Sequence, residues 1–165
     1  MSLDIISTLC YTEDAMLGYV AGFVDADGCI RVSPHRSKGA SVSFTGDVAV
    51  TNTDGKVPYL LKAVFGGTLY QSNQKMENSR PIWRWRVTGA KAAKMVRLIY
   101  PHLVRKKLQA ENLLDFEDYR QRLHRERMTR PPGQQGYTRE EKYDLLTYAM
   151  RSKELNAFGR RSHGF

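Results

Sequence analysis

Two carboxylates, Asp25 and Asp27, close the stretch Leu17-Gly18-Tyr19-Val20-Ala21-Gly22-Phe23-Val24-Asp25-Ala26-Asp27-Gly28. If this stretch is a helix ended by Gly28, both acids lie where the last carbonyls lack partners and the helix dipole is negative. That placement is unfavourable by roughly 0.3–1 kcal/mol for each acid. A divalent cation would reverse the penalty, because a cluster of hard oxygen ligands is what Mg²⁺ prefers. The same residues would equally serve to shape a turn before Gly28, as Asp and Gly often do. Spacing alone leaves both readings open.

A second set of residues suggests recognition rather than catalysis. Segments 29–34, 41–52, 68–73 and 81–88 alternate as strands do, with apolar side chains on one face. The opposite face collects Arg31, Ser33, His35, Ser43, Thr45, Asp47, Thr51, Tyr70, Ser72, Gln74, Arg84 and Arg86, with Arg36 and Lys38 in the basic loop after the first strand. Such a mixture of donors and acceptors is what major-groove reading needs: Arg pairs with guanine, Gln with adenine, and Asp accepts from cytosine. The second strand, at ~3.3 Å per residue, gives a ribbon of ~36 Å, close to one turn of B-DNA. A solvated strand face with no ligand is the competing account.

Charge distribution favours a polyanion. Residues 1–28 hold five acids and no Lys or Arg, whereas residues 29–109 hold 15 basic residues against 3 acids, within a total of +9. The basic residues lie among strands rather than along one amphipathic helix, which disfavours a membrane surface. The apolar run from Ala15 to Val24 is too short to span a bilayer. Cys10 and Cys29 share no ligand-like spacing with the four histidines, so zinc and a disulfide framework are disfavoured. The first ten residues have no basic start and no long apolar core, and an intracellular protein is expected, cytoplasmic in a prokaryote or organellar otherwise.

These residues need a scaffold of helices to hold them. Thr12 is suited to cap the first helix, with Ala15, Leu17, Val20, Phe23 and Val24 as its core-facing bulk. Gly18 and Gly22, with Ala21 and Asp25 on nearly the same side, form a face almost free of bulk on which two helix backbones could pack closely. Helices are also expected over 54–65, ended by Gly66-Gly67, over 90–100, interrupted by Pro101, and over 105–127. Thr138 and Glu141 predict a capping box for a last helix running to about 158. In the fourth strand Trp83 and Trp85 alternate with Arg84 and Arg86 and are expected to anchor the core. The fold class is therefore α+β: a helix-strand-strand-helix-strand-strand-helix core with a four-stranded antiparallel DNA-binding sheet, plus C-terminal helices. One domain is expected over 1–165, with a core about 12–127 and a helical extension about 138–158.

Residues 20–28, Val-Ala-Gly-Phe-Val-Asp-Ala-Asp-Gly, resemble the motif that names the LAGLIDADG homing endonucleases, with apolar replacements at Val20, Phe23 and Val24. The surrounding chain is similar to the single-motif branch of that family over most of its length. The resemblance implies a homing endonuclease of the intron-encoded type, a Mg²⁺-dependent hydrolase of DNA phosphodiesters. It implies a homodimer joined through Gly18, Ala21, Gly22 and Asp25 and cutting both strands of a long pseudo-palindromic duplex. Asp27, with the carbonyl of Ala26, would hold the metal, for which Mn²⁺ or Ca²⁺ could substitute. Aligned on residues 50–53, Asn52 takes the polar position that orients water, and Lys56 one basic position. Within residues 101–110, Lys106 takes the other basic position, or Lys107 if the register slips by one. A nuclease-dead scaffold that binds intron RNA as a splicing helper, or acts as a regulator, is the alternative function.

Overall fold

The computed structural model describes residues 12–35, 42–72 and 81–161, with side chains described as far as residue 157. Arg36, Lys38 and Gln74 lie outside the described residues. The first helix, α1, spans Glu13–Asp27 and starts where expected: the Thr12 hydroxyl accepts the Ala15 N–H at 3.3 Å, and Glu13 and Asp14 follow in the first turn. Then come β1 (Gly28–His35), β2 (Ser43–Asn52), α2 (Lys56–Phe65), β3 (Thr68–Ser72), β4 (Ile82–Thr88) and α3 (Gly89–Ile99). A 3₁₀ turn over Tyr100–His102 holds Pro101 and separates α3 from α4 (Lys107–Met128), after which α5 runs over Arg139–Arg161. Among the described residues no helix is long and apolar enough to cross a membrane.

All four strands join one antiparallel sheet in the order β1-β2-β4-β3. Alternation decides its two faces. Ile30, Val32, Val48, Val50, Trp85 and Val87 are buried together against the helices, with Val20 and Val24 of α1, Met95, Val96 and Ile99 of α3, and Leu113 and Phe116 of α4. Each such side chain removed from water contributes about 1.5–3 kcal/mol. Gly46 permits a close approach of α4 to β2, because a Cβ there would stand 3.1 Å from Leu113 Cγ. Trp85 is fully buried, and its indole N–H donates to the Gly66 carbonyl at 2.7 Å. Gly66 and Gly67 both have positive φ, 70° and 82°, which lets the chain leave α2 and turn directly into β3. Trp83 is only half-buried and packs on Tyr59, with ring centroids 4.9 Å apart.

The last helix begins with the expected capping box: the Thr138 N–H donates to Glu141 at 2.8 Å and the Glu141 N–H to the Thr138 hydroxyl at 3.1 Å. Arg130 adds an ion pair that holds the Glu141 carboxyl below the usual glutamate range, against an opposing effect of burial. The helix then runs along the free edge of β1. There the Val32 N–H donates to the Ser152 hydroxyl at 2.9 Å, and the Asn156 amide donates to the Ile30 carbonyl at 3.1 Å. An edge strand offers unpaired backbone groups to any other strand, and these two side chains occupy such groups. The C-terminal extension thus seals one margin of the sheet, a role its amphipathic pattern did not disclose.

Candidate active site and nucleic-acid interface

The end of α1 is where the sequence placed two acids against an unfavourable dipole, and the structure shows how they are accommodated. Asp25 turns inward and is buried. Its carboxylate accepts three backbone N–H groups from the segment before α4: Val104 at 2.7 Å, Arg105 at 3.1 Å and Lys106 at 2.9 Å. Lys106 then reaches back across the helix end, donating from Nζ to the carbonyls of Val24 at 2.8 Å and Asp25 at 2.6 Å. A cation on the last carbonyls offsets the dipole that the acids oppose. Gly28 is needed at the same junction, since a Cβ there would lie 2.6 Å from the Val24 carbonyl oxygen.

Asp27 remains exposed. Its Oδ2 accepts the Asn52 amide N–H at 3.1 Å, joining the last residue of α1 to the last residue of β2. The Asn52 side-chain oxygen accepts the Asp54 N–H at 2.7 Å, and Asp54 in turn accepts the Lys56 N–H at 3.0 Å. This chain of bonds sets the entry to α2, of which Lys56 is the first residue, with its side chain in solvent. Asp27, Asn52 and Lys106 thus meet at one end of α1, with Lys56 tied to them through the backbone. Lys107 points elsewhere, its Nζ 5.8 Å from the Tyr100 ring centroid. Burial lowers the pKa of the Lys106 ammonium, with a smaller contribution from Arg105, against the opposing pull of Asp25 and Asp27.

Among the described residues no three His, Cys, Asp or Glu side chains form a group able to hold a metal ion. One chain therefore offers a partial site: the exposed Asp27 carboxylate at a helix end whose Val24 and Asp25 carbonyls are taken by Lys106. That donor set of hard oxygens fits Mg²⁺, Mn²⁺ or Ca²⁺ when phosphate, water or a second copy supplies the rest.

The helix faces differ from expectation. Ala21 and Asp25, expected between two copies, are buried within the chain, because the four-residue step that unites them points at the 3₁₀ turn and the segment before α4. Gly18 is half-buried, and a Cβ built on it would lie 3.9 Å from His102 Nδ1. Gly22 is exposed, with nothing within 4 Å of a Cβ built on it. The outward face of α1 is instead Ala15, Tyr19, Gly22 and Ala26; Ala15 does not join the core.

The sheet face away from the core carries the expected polar residues. Register sets Arg31 opposite Asp47, Ser33 opposite Thr45 and His35 opposite Ser43, then Thr51 opposite Arg84 and Arg84 opposite Tyr70. His35, Ser43, Thr51, Tyr70, Arg84 and Arg86 are exposed, and Arg31, Ser33, Thr45 and Ser72 half-buried. Asp47 is the exception. It is wholly buried between Arg31 and Arg86, at 3.1 and 2.9 Å, so its oxygens are occupied and cannot accept from cytosine. Sequence reasoning missed this, along with Ser152 and Asn156 as bonding residues. Only for Asp47 was there a signal, in two arginines set to share its face.

The sequence and the fold both match known proteins. The family model described as LAGLIDADG endonuclease matches residues 20–123. No curated protein sequence matches the chain significantly. Among solved structures, the homing endonuclease I-CvuI in complex with the I-CreI target aligns over 86% of this chain and 83% of its own, with a TM-score of 0.65 and 19% identity. The homing endonuclease I-TnaI aligns over 88% and 96%, with a TM-score of 0.62 and 19% identity. The LAGLIDADG meganuclease I-AabMI, bound to uncleaved DNA, aligns over 86% of this chain but 47% of its own, with a TM-score of 0.60 and 17% identity. With its named motif on α1 and the matching α+β fold around it, the chain belongs to the LAGLIDADG endonuclease family.

Proposed function

We propose that this protein is a site-specific DNA endonuclease that acts as a homodimer and needs a divalent cation. The observation that carries the proposal is the convergence of Asp27, Asn52 and Lys106 at one end of α1, on the rim of the open basic sheet. One chain supplies one such cluster, whereas two strands must be cut. The exposed face of Ala15, Tyr19, Gly22 and Ala26 lets a second α1 approach closely and brings two Asp27 carboxylates near one duplex. The 47% coverage of I-AabMI fits a longer chain holding two such units.

Asp27 and the Ala26 carbonyl would hold the cation. When bound, a divalent cation lowers the pKa of water and neutralises charge on phosphate oxygens. Asn52 fixes the Asp27 carboxylate through one amide N–H and has a second N–H for the attacking water. Lys106 gives two N–H groups to the helix end and keeps a third for the scissile phosphate, whose charge grows in the transition state. Lys56 stands at the start of α2 as a second cation.

Because burial lowers its pKa, Lys106 loses its proton below the ordinary lysine value of ~10.4. Folding stability has the opposite sign: the charged form is penalised at neutral pH, and the penalty shrinks as pH rises from the lowered folded pKa and is gone above the ordinary lysine value of the unfolded chain. Cleavage should therefore decline on the alkaline side before an unperturbed lysine would titrate. Lys106→Arg should shift that decline upward, since a guanidinium stays charged. Single-turnover rates from pH 7 to 10 check this, and coincident alkaline limbs for the two proteins would exclude Lys106 from the step.

The function itself is tested by incubating the full chain with long duplex DNA and Mg²⁺. Discrete fragments are expected, none in the presence of a chelator, and two chains per bound duplex by mass measurement. A chain that yields no fragments with any divalent cation, or binds as a monomer, refutes the proposal.

A further inference from the structure

Asp47 occupies the middle of the open sheet face, yet no DNA group can reach it. It lies opposite Arg31 of β1, while Arg86 of β4 lies opposite Ala49, two residues further along β2. The two flanking strands are ~10 Å apart, but both guanidiniums converge on one carboxylate. Arg31 Nε donates to Oδ1 and to Oδ2, each at 3.1 Å. Arg86 donates from Nε to Oδ2 at 3.1 Å and from Nη2 to Oδ1 at 2.9 Å. A carboxylate with no access to water is tolerated only when paired and hydrogen-bonded, and here two cations satisfy it. In return, the acid removes rotamer freedom from both arginines before any ligand arrives.

What remains unspent is informative. Arg31 uses only Nε, and neither of its terminal amino groups bonds a described residue; Arg86 keeps Nη1. The two side chains are 42% and 45% exposed. A fixed fork of terminal amino groups matches O6 and N7 of guanine. A phosphate clamp would be built differently, because a carboxylate between two arginines cancels one of their charges and repels the backbone.

Resting on the DNA-binding reading above, we propose that Asp47 is a specificity-positioning residue: it touches no DNA itself, and holds Arg31 and Arg86 as a rigid pair selecting two guanines in each half of the target. Because both guanidiniums flank one carboxylate, the two guanines lie within about three base-pair steps of ~3.4 Å.

The test is selection of bound sites from a random duplex library by the full chain, reading bound rather than cut DNA. The wild type should show two closely spaced guanine positions per half-site, each preferred roughly 5- to 100-fold. Asp47→Asn should flatten both positions together while the rest of the site keeps its preferences. Arg31→Lys and Arg86→Lys, which leave Asp47 a cationic partner and so guard against simple misfolding, should each flatten one. Intact guanine preferences in Asp47→Asn overturn the inference, as do arginine variants that weaken binding equally on all sequences. A wild type that enriches no sequence overturns the endonuclease reading as well, which distinguishes the two failures.

Discussion

Asp27→Asn is expected to stop cleavage while leaving duplex affinity within a few-fold of the wild type. The substitution is nearly isosteric, and an Asn at this position can still offer an oxygen to the Asn52 amide, so the junction of α1 and β2 should survive. What disappears is the negative charge, the one exposed carboxylate at the helix end able to hold a cation. Loss of metal assistance removes several kcal/mol of transition-state stabilisation, a fall of about 10³-fold or more in rate. On the proposed reading binding is spread over the sheet face and should not depend on this residue. Single-turnover cleavage in Mg²⁺, alongside gel-shift titration, separates the two quantities. Cutting at the wild-type rate would remove Asp27 from the chemistry.

Asp25→Ala is expected to act through the fold and to lower both stability and activity. Three backbone N–H groups and the reach of Lys106 depend on this buried carboxylate. Unsatisfied buried donors cost about 1–3 kcal/mol each, and breaking a buried charged network costs about 3–5 kcal/mol in total. For a chain of this size that corresponds to a fall in Tm of roughly 6–20 °C. Asp25→Asn keeps an acceptor but sets an N–H against one of the three donors, so it should fall between Ala and the wild type. Thermal melts followed by circular dichroism decide the matter. A Tm for Asp25→Ala within ~2 °C of the wild type would show that the segment before α4 holds itself without this residue.

Much of the scaffold was legible because it is governed by local rules. The Thr12 cap, the Thr138–Glu141 capping box, the glycine pair after α2 and the alternation of Trp83-Arg84-Trp85-Arg86 each operate within a few residues, and each is found as expected. Helix ends moved by one or two residues, as at Lys56 and Lys107, where turn bonds compete with the first helical turn. Lys106 and Lys107 were not separable by spacing. Their separation depends on which one lies against the end of α1, a contact across 80 residues of chain.

The sequence alone established the helix bearing the acidic motif, the four alternating strands with a basic face, and the family to which they point, because hydrophobic period and capping chemistry are written in neighbouring residues. Which acid points inward and which outward, how Asp47 is buried between two arginines, and how α5 closes the β1 edge were decided only by the tertiary structure. A carboxylate is the same in the sequence whether it meets water, three backbone N–H groups or two guanidiniums. Its role is set by the groups that packing brings to it from distant parts of the chain.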